Sequence, residues 1–203
     1  MATSPLPPTW STVPRLAGQH AVLEPLDTAH VDGLRAAVEG TGLERLWYTN
    51  VPAPHDVAGY VEATLAAHSQ GLVLPFAVRD AGGAVVGTTR FYGLEPAVPK
   101  LLIGYTWYAP RVQRTGLNTE CKLMLLRHAF ETMGCVNVSF ETSWFNHASR
   151  TAIARLGAKQ DGVLRNAKRH ADGSLRDTVV FSILDTEWPA VRSNLQYRLE
   201  SRL

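Results

Sequence analysis

The chain has 203 residues, 45% of them apolar and 19% charged, enough for one domain with a real core and ordinary for a globular protein. Its net charge of +2 argues against a dedicated nucleic-acid binder, which is far more basic, and no run approaches ~18 consecutive apolar residues, so no membrane span is expected. Cys121 and Cys135 sit in apolar surroundings without metal-type spacing and read as buried thiols, and MATSPLPPTW is no secretory leader, so a cytoplasmic protein without a metal site is expected.

Residues 1–18 hold Pro5, Pro7, Pro8 and Pro14 and read as an extended arm before a domain over 19–188. A first strand is expected over 19–26. Asp27 or Thr28 can cap a helix through Val38, with Val31, Leu34 and Val38 on one face. The turn-rich stretch 41–54 carries Leu46, Trp47 and Tyr48. A second helix over about 55–70 turns Val57, Val61 and Leu65 inward. Strands over 73–79 and 84–92 form a hairpin about Asp80-Ala81-Gly82-Gly83, and 93–100 reads as a loop.

Residues 101–108 form an apolar run, the pattern of a buried central strand, which Ala109 and Pro110 end. A polar loop over 111–115 leads to Gly116 and a long helical stretch ending near Met133. Residues 136–142 place Val136, Val138 and Phe140 in alternation, as a strand does. A short helix over 146–156 stops at Gly157. Strands over 158–165 and 176–184 are joined through Ala171-Asp172-Gly173. Thr186 can cap a last helix with Pro189 in its first turn. Trp188, Val191, Leu195 and Leu199 give that helix, over 189–203, a stripe that either closes the domain or serves a homodimer interface. The order β-α-α-β-β-β-α-β-α-β-β-α predicts an α+β fold, an α/β sandwich: a mixed, mostly antiparallel central sheet with helices on both faces and one parallel crossover.

A strand, a tight turn and a helix start, in that order, make an anion site. The first N–H groups of a helix lack internal partners and carry the positive end of its dipole. Gly116 allows close approach, and Gln113, Arg114, Thr115 and Asn118 add side-chain donors. A phosphate-bearing ligand at 111–119 is therefore expected.

Gln113-Arg114-Thr115-Gly116-Leu117-Asn118 resembles the Q/R-x-x-G-x-G/A loop of the GNAT acyltransferase superfamily, with Asn118 where Gly or Ala is usual. Asn146-His147-Ala148-Ser149, followed by Leu156-Gly157-Ala158 and Asp161-Gly162, resembles a second pattern, that of RimJ/RimL-like members. Both occur in family order. The resemblance implies the GNAT fold, in which the central strand and the strand after the central helix splay apart around the pantetheine of acetyl-CoA. It further implies that Gln113, Arg114, Thr115, Gly116, Leu117, Asn118 and Thr119 hold the pyrophosphate. The backbone of Thr106, Trp107 and Tyr108 would pair with the pantetheine amides, Asn146 would bond the same arm, and Ser149 would protonate the leaving thiolate. On the residues alone, Asn146 and Ser149 also read as a helix cap.

Some relatives place a Glu in the hairpin after the D-G element, where this chain has Asn166-Ala167-Lys168-Arg169-His170 and no carboxylate. Glu141 is then the best carboxylate for a general base, with His147 or a water chain as alternatives. Trp47, Tyr48, Arg90, Tyr92, Ser143 and Trp144 are candidates for the acceptor pocket. Arg90, mid-strand among apolar residues, calls for a buried anion, whether a substrate carboxylate, Glu95 or Glu141. The basic group Arg165, Lys168, Arg169, His170 and Arg176 reads as a solvated hairpin or as a surface for an acidic substrate or the CoA 3′-phosphate. The leading expectation is an acetyl-CoA-dependent N-acetyltransferase acting on a small-molecule or peptide amine by direct attack in a ternary complex. A non-catalytic acyl-CoA-binding module and a transferase using another activated acyl donor are the alternatives.

Overall fold

A computed structural model of the chain describes residues 6–170 and 172–201. Pro5 and Ala171, the latter at the expected hairpin tip, lie outside the described residues. Where the sequence predicts an extended arm, Pro8–Ser11 forms one helical turn, α1, with Pro in its first positions, where no N–H is needed. It buries Trp10 in the core, and Val13 follows.

Eight strands form one sheet: β1 (Leu16–Ala17), β2 (Ala21–Pro25), β3 (Val73–Asp80), β4 (Val85–Glu95), β5 (Lys100–Tyr108), β6 (Asn137–Ser143), β7 (Lys159–Arg169) and β8 (Leu175–Leu184). Their spatial order is β1-β2-β3-β4-β5-β6-β8-β7. Every neighbouring pair is antiparallel except β5 and β6, the parallel crossover. Helices α2 (Val31–Val38) and α3 (Val57–Ser69) pack together over β4 and β3. Helix α4 (Leu117–Arg127) packs on β1, β2 and the last helix, α6 (Trp188–Glu200), while α5 (His147–Ala154) packs on β6 and β8. Two adjacent residues of β4 show that the helices cover both faces: Arg90 reaches Tyr60 and Thr64 of α3, and Phe91 stacks at 6.3 Å on His128 at the end of α4.

Local signals placed most of these elements and misplaced some ends. Asp27 caps the turn before α2 through a reciprocal bond pattern with His30. Strand β4 runs on to Glu95, where a loop was expected, because Gly93 (φ 58) permits a bulge after which Glu95 pairs with Lys100. Val136 is 41% exposed and precedes β6, whose inward residues are Val138, Phe140 and Thr142. Thr186 does not cap α6. Glu187 occupies that position and makes no cap bond; its carboxylate accepts from the Leu184 N–H and pairs with Lys159. Trp188, Val191 and Leu195 are buried within the domain, with Trp188 stacked on Phe130 and donating to Glu131 Oε1 at 2.8 Å, and Leu199 is partly buried against the same core. Both cysteines are buried free thiols, pushed up to about 12 by burial.

One long-range tie holds the chain's start to the loop–helix junction. Glu120 on α4 is buried, and its carboxylate accepts from the backbone N–H groups of Gln19, His20 and Ala21 at 2.7, 2.6 and 2.8 Å. Gly18 lies against the same carboxylate, with no room for a Cβ. Bonds to a charged acceptor are among the stronger ones, and a buried donor left without a partner is costly. Glu120→Gln offers a neutral acceptor and sets an NH₂ against those donors. We expect it to lower unfolding free energy by about 3 kcal/mol, read as the midpoint shift in urea; a shift equivalent to under ~1 kcal/mol contradicts this.

Candidate active site

The sheet opens at one place. Strands β5 and β6 pair only over Lys100–Leu102 with Asn137–Ser139, and beyond that they part. A bulge in β5 coincides with the parting. Trp107 pairs with Thr88 and Gly104 with Arg90, so Tyr105 and Thr106 together oppose Thr89. Tyr105 takes φ 51, unusual for a bulky residue in a strand and a mark of functional sites. A bulge bends its strand and re-aims side chains. The resulting wedge is a cleft of about 450 Å³.

Thr106, Trp107 and Tyr108 line one wall, with Gln113, Arg114 and Asn118 at the loop–helix end. Gln113 Nε2 donates to the Tyr108 carbonyl at 3.0 Å, tying the loop to the strand, and Arg114 holds a left-handed turn at φ 63. Asn146 and Ser149 line the cleft too. Asn146 Oδ1 accepts from the Ser149 N–H at 2.9 Å, so it caps α5 while also lining the cleft. No partner is present among the described residues for the Asn146 NH₂ or the Ser149 hydroxyl.

Four residues of the loop motif do not line the cleft. Leu117 is core, and Thr119 lies outside the lining. The Thr115 hydroxyl donates to the Val112 carbonyl and accepts from the Leu117 N–H, which makes it part of the turn. Gly116 has an ordinary φ of −67; a Cβ there would sit 3.0 Å from the His20 ring, so its smallness makes room for the N-terminal segment.

On the acceptor side, Tyr48, Tyr92 and Glu141 line the cleft. Trp47, Arg90, Ser143 and Trp144 do not. Trp47 packs against Tyr48, Phe145 and His170, Ser143 is buried, and Trp144 carries the Arg150 guanidinium on its face. Arg90 is buried behind Tyr105, 4.2 Å from that ring's centre, and donates to the Tyr60 hydroxyl and Thr64. Neither expected carboxylate meets it: Glu95 pairs with Lys100 and Glu141 with Lys168. Glu141 faces the cleft, its carboxylate 2.6 Å from Lys168 Nζ. Burial raises the Tyr92 hydroxyl pKa well above its ordinary value, aided by the Glu141 charge, so Tyr92 stays a neutral donor.

Among the cleft residues that the sequence did not single out are Tyr105 and Lys122. Tyr105 stacks edge-on to Tyr92 at 5.3 Å and covers Arg90. Lys122, four residues after Asn118 and so on the same face of α4, is buried at the cleft floor, and Nζ donates to Thr106 Oγ1 at 2.9 Å. Thr106 Oγ1 in turn meets Thr89 Oγ1 at 2.7 Å. Burial, with no carboxylate partner among the described residues, pushes the Lys122 pKa down to about 8. The signal was present in the sequence as a lysine inside the apolar stripe Cys121 to Leu126.

Among the described residues no helix is long and apolar enough to cross a membrane. A family model described as an acetyltransferase (GNAT) domain matches residues 20–159. No curated protein matches. Among solved structures, a GCN5-related N-acetyltransferase from Brucella melitensis is 29% identical at TM-score 0.84, over 93% of this chain and 86% of that one. A probable GNAT-family acetyltransferase from Chromobacterium violaceum is 27% identical at TM-score 0.78, over 93% and 98%. Mycobacterium smegmatis RimJ in complex with CoA-disulfide shares the fold at TM-score 0.74 and 20% identity, over 90% of each chain. With an open parallel pair, a loop–helix junction at its mouth and a domain match over most of its length, the chain belongs to the GNAT acetyltransferase family.

Proposed function

We propose that the protein is an N-acetyltransferase that moves an acetyl group from acetyl-CoA to a primary amine, of a small molecule or a peptide N-terminus, by direct attack in a ternary complex. One observation carries this reading: among the described residues the β5 edge from Ile103 to Tyr108 lacks a strand partner on the β6 side, and it lines the cleft with Asn146 and Ser149. Such an edge suits a pantetheine arm, whose amides can pair as an added strand does. The RimJ structure, which holds a CoA disulfide, supports the same choice of ligand. Bound there, the thioester supplies an activated acyl carbon.

The chain's own groups divide the remaining work. The first-turn amides of α4, with Gln113 and Arg114, hold the pyrophosphate. The backbone of Thr106 to Tyr108 and the Asn146 NH₂ fix the arm. Glu141 takes the proton the amine loses as it attacks, and the Ser149 hydroxyl relays a proton to the departing thiolate, taking one from solvent water as it gives its own. Tyr48 and Tyr92 border the amine's approach.

Acetyl-CoA titrated calorimetrically into the protein should bind at micromolar Kd, about −8 kcal/mol. Asn118→Trp fills the cleft from a half-buried position in the first turn of α4. It should weaken that binding at least ~tenfold with the melting temperature held. Unchanged affinity in this variant, or no binding by the wild type, overturns the reading.

A further inference from the structure

The five basic residues near the last hairpin sort into separate roles. Arg165 is exposed and pairs with Asp177, and Arg169 donates to the Gly173 carbonyl away from the cleft. His170 packs on Trp47. Lys168 and Arg176 line the cleft. They stand directly opposite each other on β7 and β8, so their side chains share a face at cross-strand distance. Like charges so placed repel. A wide bulge between Leu164 and Lys168, with Asn166 at φ 52, brings this end of β7 into that register.

The charges on this wall do not balance. Lys168 is held by Glu141 at 2.6 Å. Arg176 has no ion pair among the described residues, and its Nε is buried without a hydrogen-bond partner. Its charge acts on Tyr92, which places it on the acceptor wall. Behind Tyr105 lies a third cation, Arg90, buried and, among the described residues, without a carboxylate partner and with an unpartnered Nε. Three cations and one carboxylate thus face or underlie one side of the cleft. A guanidinium nitrogen kept from water without a partner is costly, and a planar anion matches the guanidinium's paired donors.

We infer that the acceptor amine carries an anionic group, a carboxylate or a phosphate, which Arg176 and Lys168 bind while the amine reaches Glu141. The inference rests on the N-acetyltransferase reading and narrows its substrate class. It predicts a preference for free amino acids or phosphorylated amines over their neutral counterparts.

The test pairs each anion with a matched neutral amine: phenylalanine and methionine against their carboxamides, and O-phosphoethanolamine against ethanolamine. Wild-type kcat/KM should favour one anionic class at least ~tenfold, and Arg176→Gln should cost that class at least ~tenfold more than its neutral partner. Arg176→Lys, which keeps the charge, should restore part of the difference. Preference for the phosphate pair alone, or the carboxylate pairs alone, identifies the source of the anion. Equal turnover of charged and neutral partners, or equal losses in Arg176→Gln, overturns the inference while leaving acetyl transfer standing. The same compounds are titrated calorimetrically into the CoA-saturated protein. If none is acetylated, anion binding that Arg176→Gln weakens still supports the subsite, and its absence overturns it. Failure of acetyl-CoA itself to bind is a separate result, which overturns the acetyltransferase reading instead.

Discussion

Replacing Lys122 with methionine should stabilise the protein at pH 7 by about 3 kcal/mol and, in the same variant, slow acetyl transfer at least ~tenfold. The Lys122 ammonium is buried, donates to Thr106 and has no carboxylate partner among the described residues. Burial lowers its pKa from 10.5 to about 8, and each unit corresponds to about 1.4 kcal/mol. The sign follows from proton counts. Below pH 8 both folded and unfolded chains hold the proton, so the full cost of burying the charge is present. From pH 8 to 10.5 the unfolded chain keeps the proton that the folded one has lost, so stability attributable to Lys122 rises with pH. Above 10.5 both are neutral and the cost is gone. The gap in unfolding free energy between variant and wild type should therefore close as pH rises from 8 to 10.5; a gap that is absent at pH 7, or constant with pH, contradicts the assignment. Methionine matches the lysine stem in length and flexibility, so the comparison isolates the charge. A cation kept at such cost in a cleft is a candidate for function, which is why the stabilised variant is expected to be the poorer enzyme.

Glu141→Gln should lower kcat/KM about 100-fold, the scale of a lost general base, while leaving acetyl-CoA affinity within about twofold. Glu141 faces the cleft beside Tyr92, on the part of β6 that has left β5. The glutamine keeps the shape and removes the proton acceptor. It also releases Lys168 from its 2.6 Å partner, so Lys168→Met is the control that separates base from ion pair. If Lys168→Met lowers the rate as much as Glu141→Gln, Glu141 acts through the pair. A loss below about fivefold in Glu141→Gln removes it from the proton path and leaves a water chain in its place.

The core of this fold was legible because its signals are local. Periodicity marked Leu34 and Val38 on α2 and Val57 and Val61 on α3, which are buried as read; the apolar run marked β5 as a strand, though not as a fully buried one, since Tyr105 in it is exposed where the sheet opens. The loop motif was legible as an ordered string, yet its residues divide in space. Gln113, Arg114 and Asn118 face the cleft, while Thr115, Gly116, Leu117 and Thr119 build the turn and the core behind it. A turn reverses side-chain direction within a few residues, and sequence spacing does not show which way each one points. The acceptor side was legible only in part, since Tyr48, Tyr92 and Glu141 reach the cleft and Trp47, Arg90, Ser143 and Trp144 do not.

By itself, the amino-acid sequence determined the order of strands and helices, the mixed sheet, the family and the position of the loop–helix junction, since each depends on residues within about a dozen positions of one another. The tertiary structure decided where charge sits. Glu120 meets amides about 100 residues away, Lys122 loses its water to β5, and Arg176 and Lys168 come opposite each other because the bulge between Leu164 and Lys168 sets the register of β7 on β8. Burial and pairing are sums over neighbours from the whole chain, and for charged groups those sums decide proton affinity and binding.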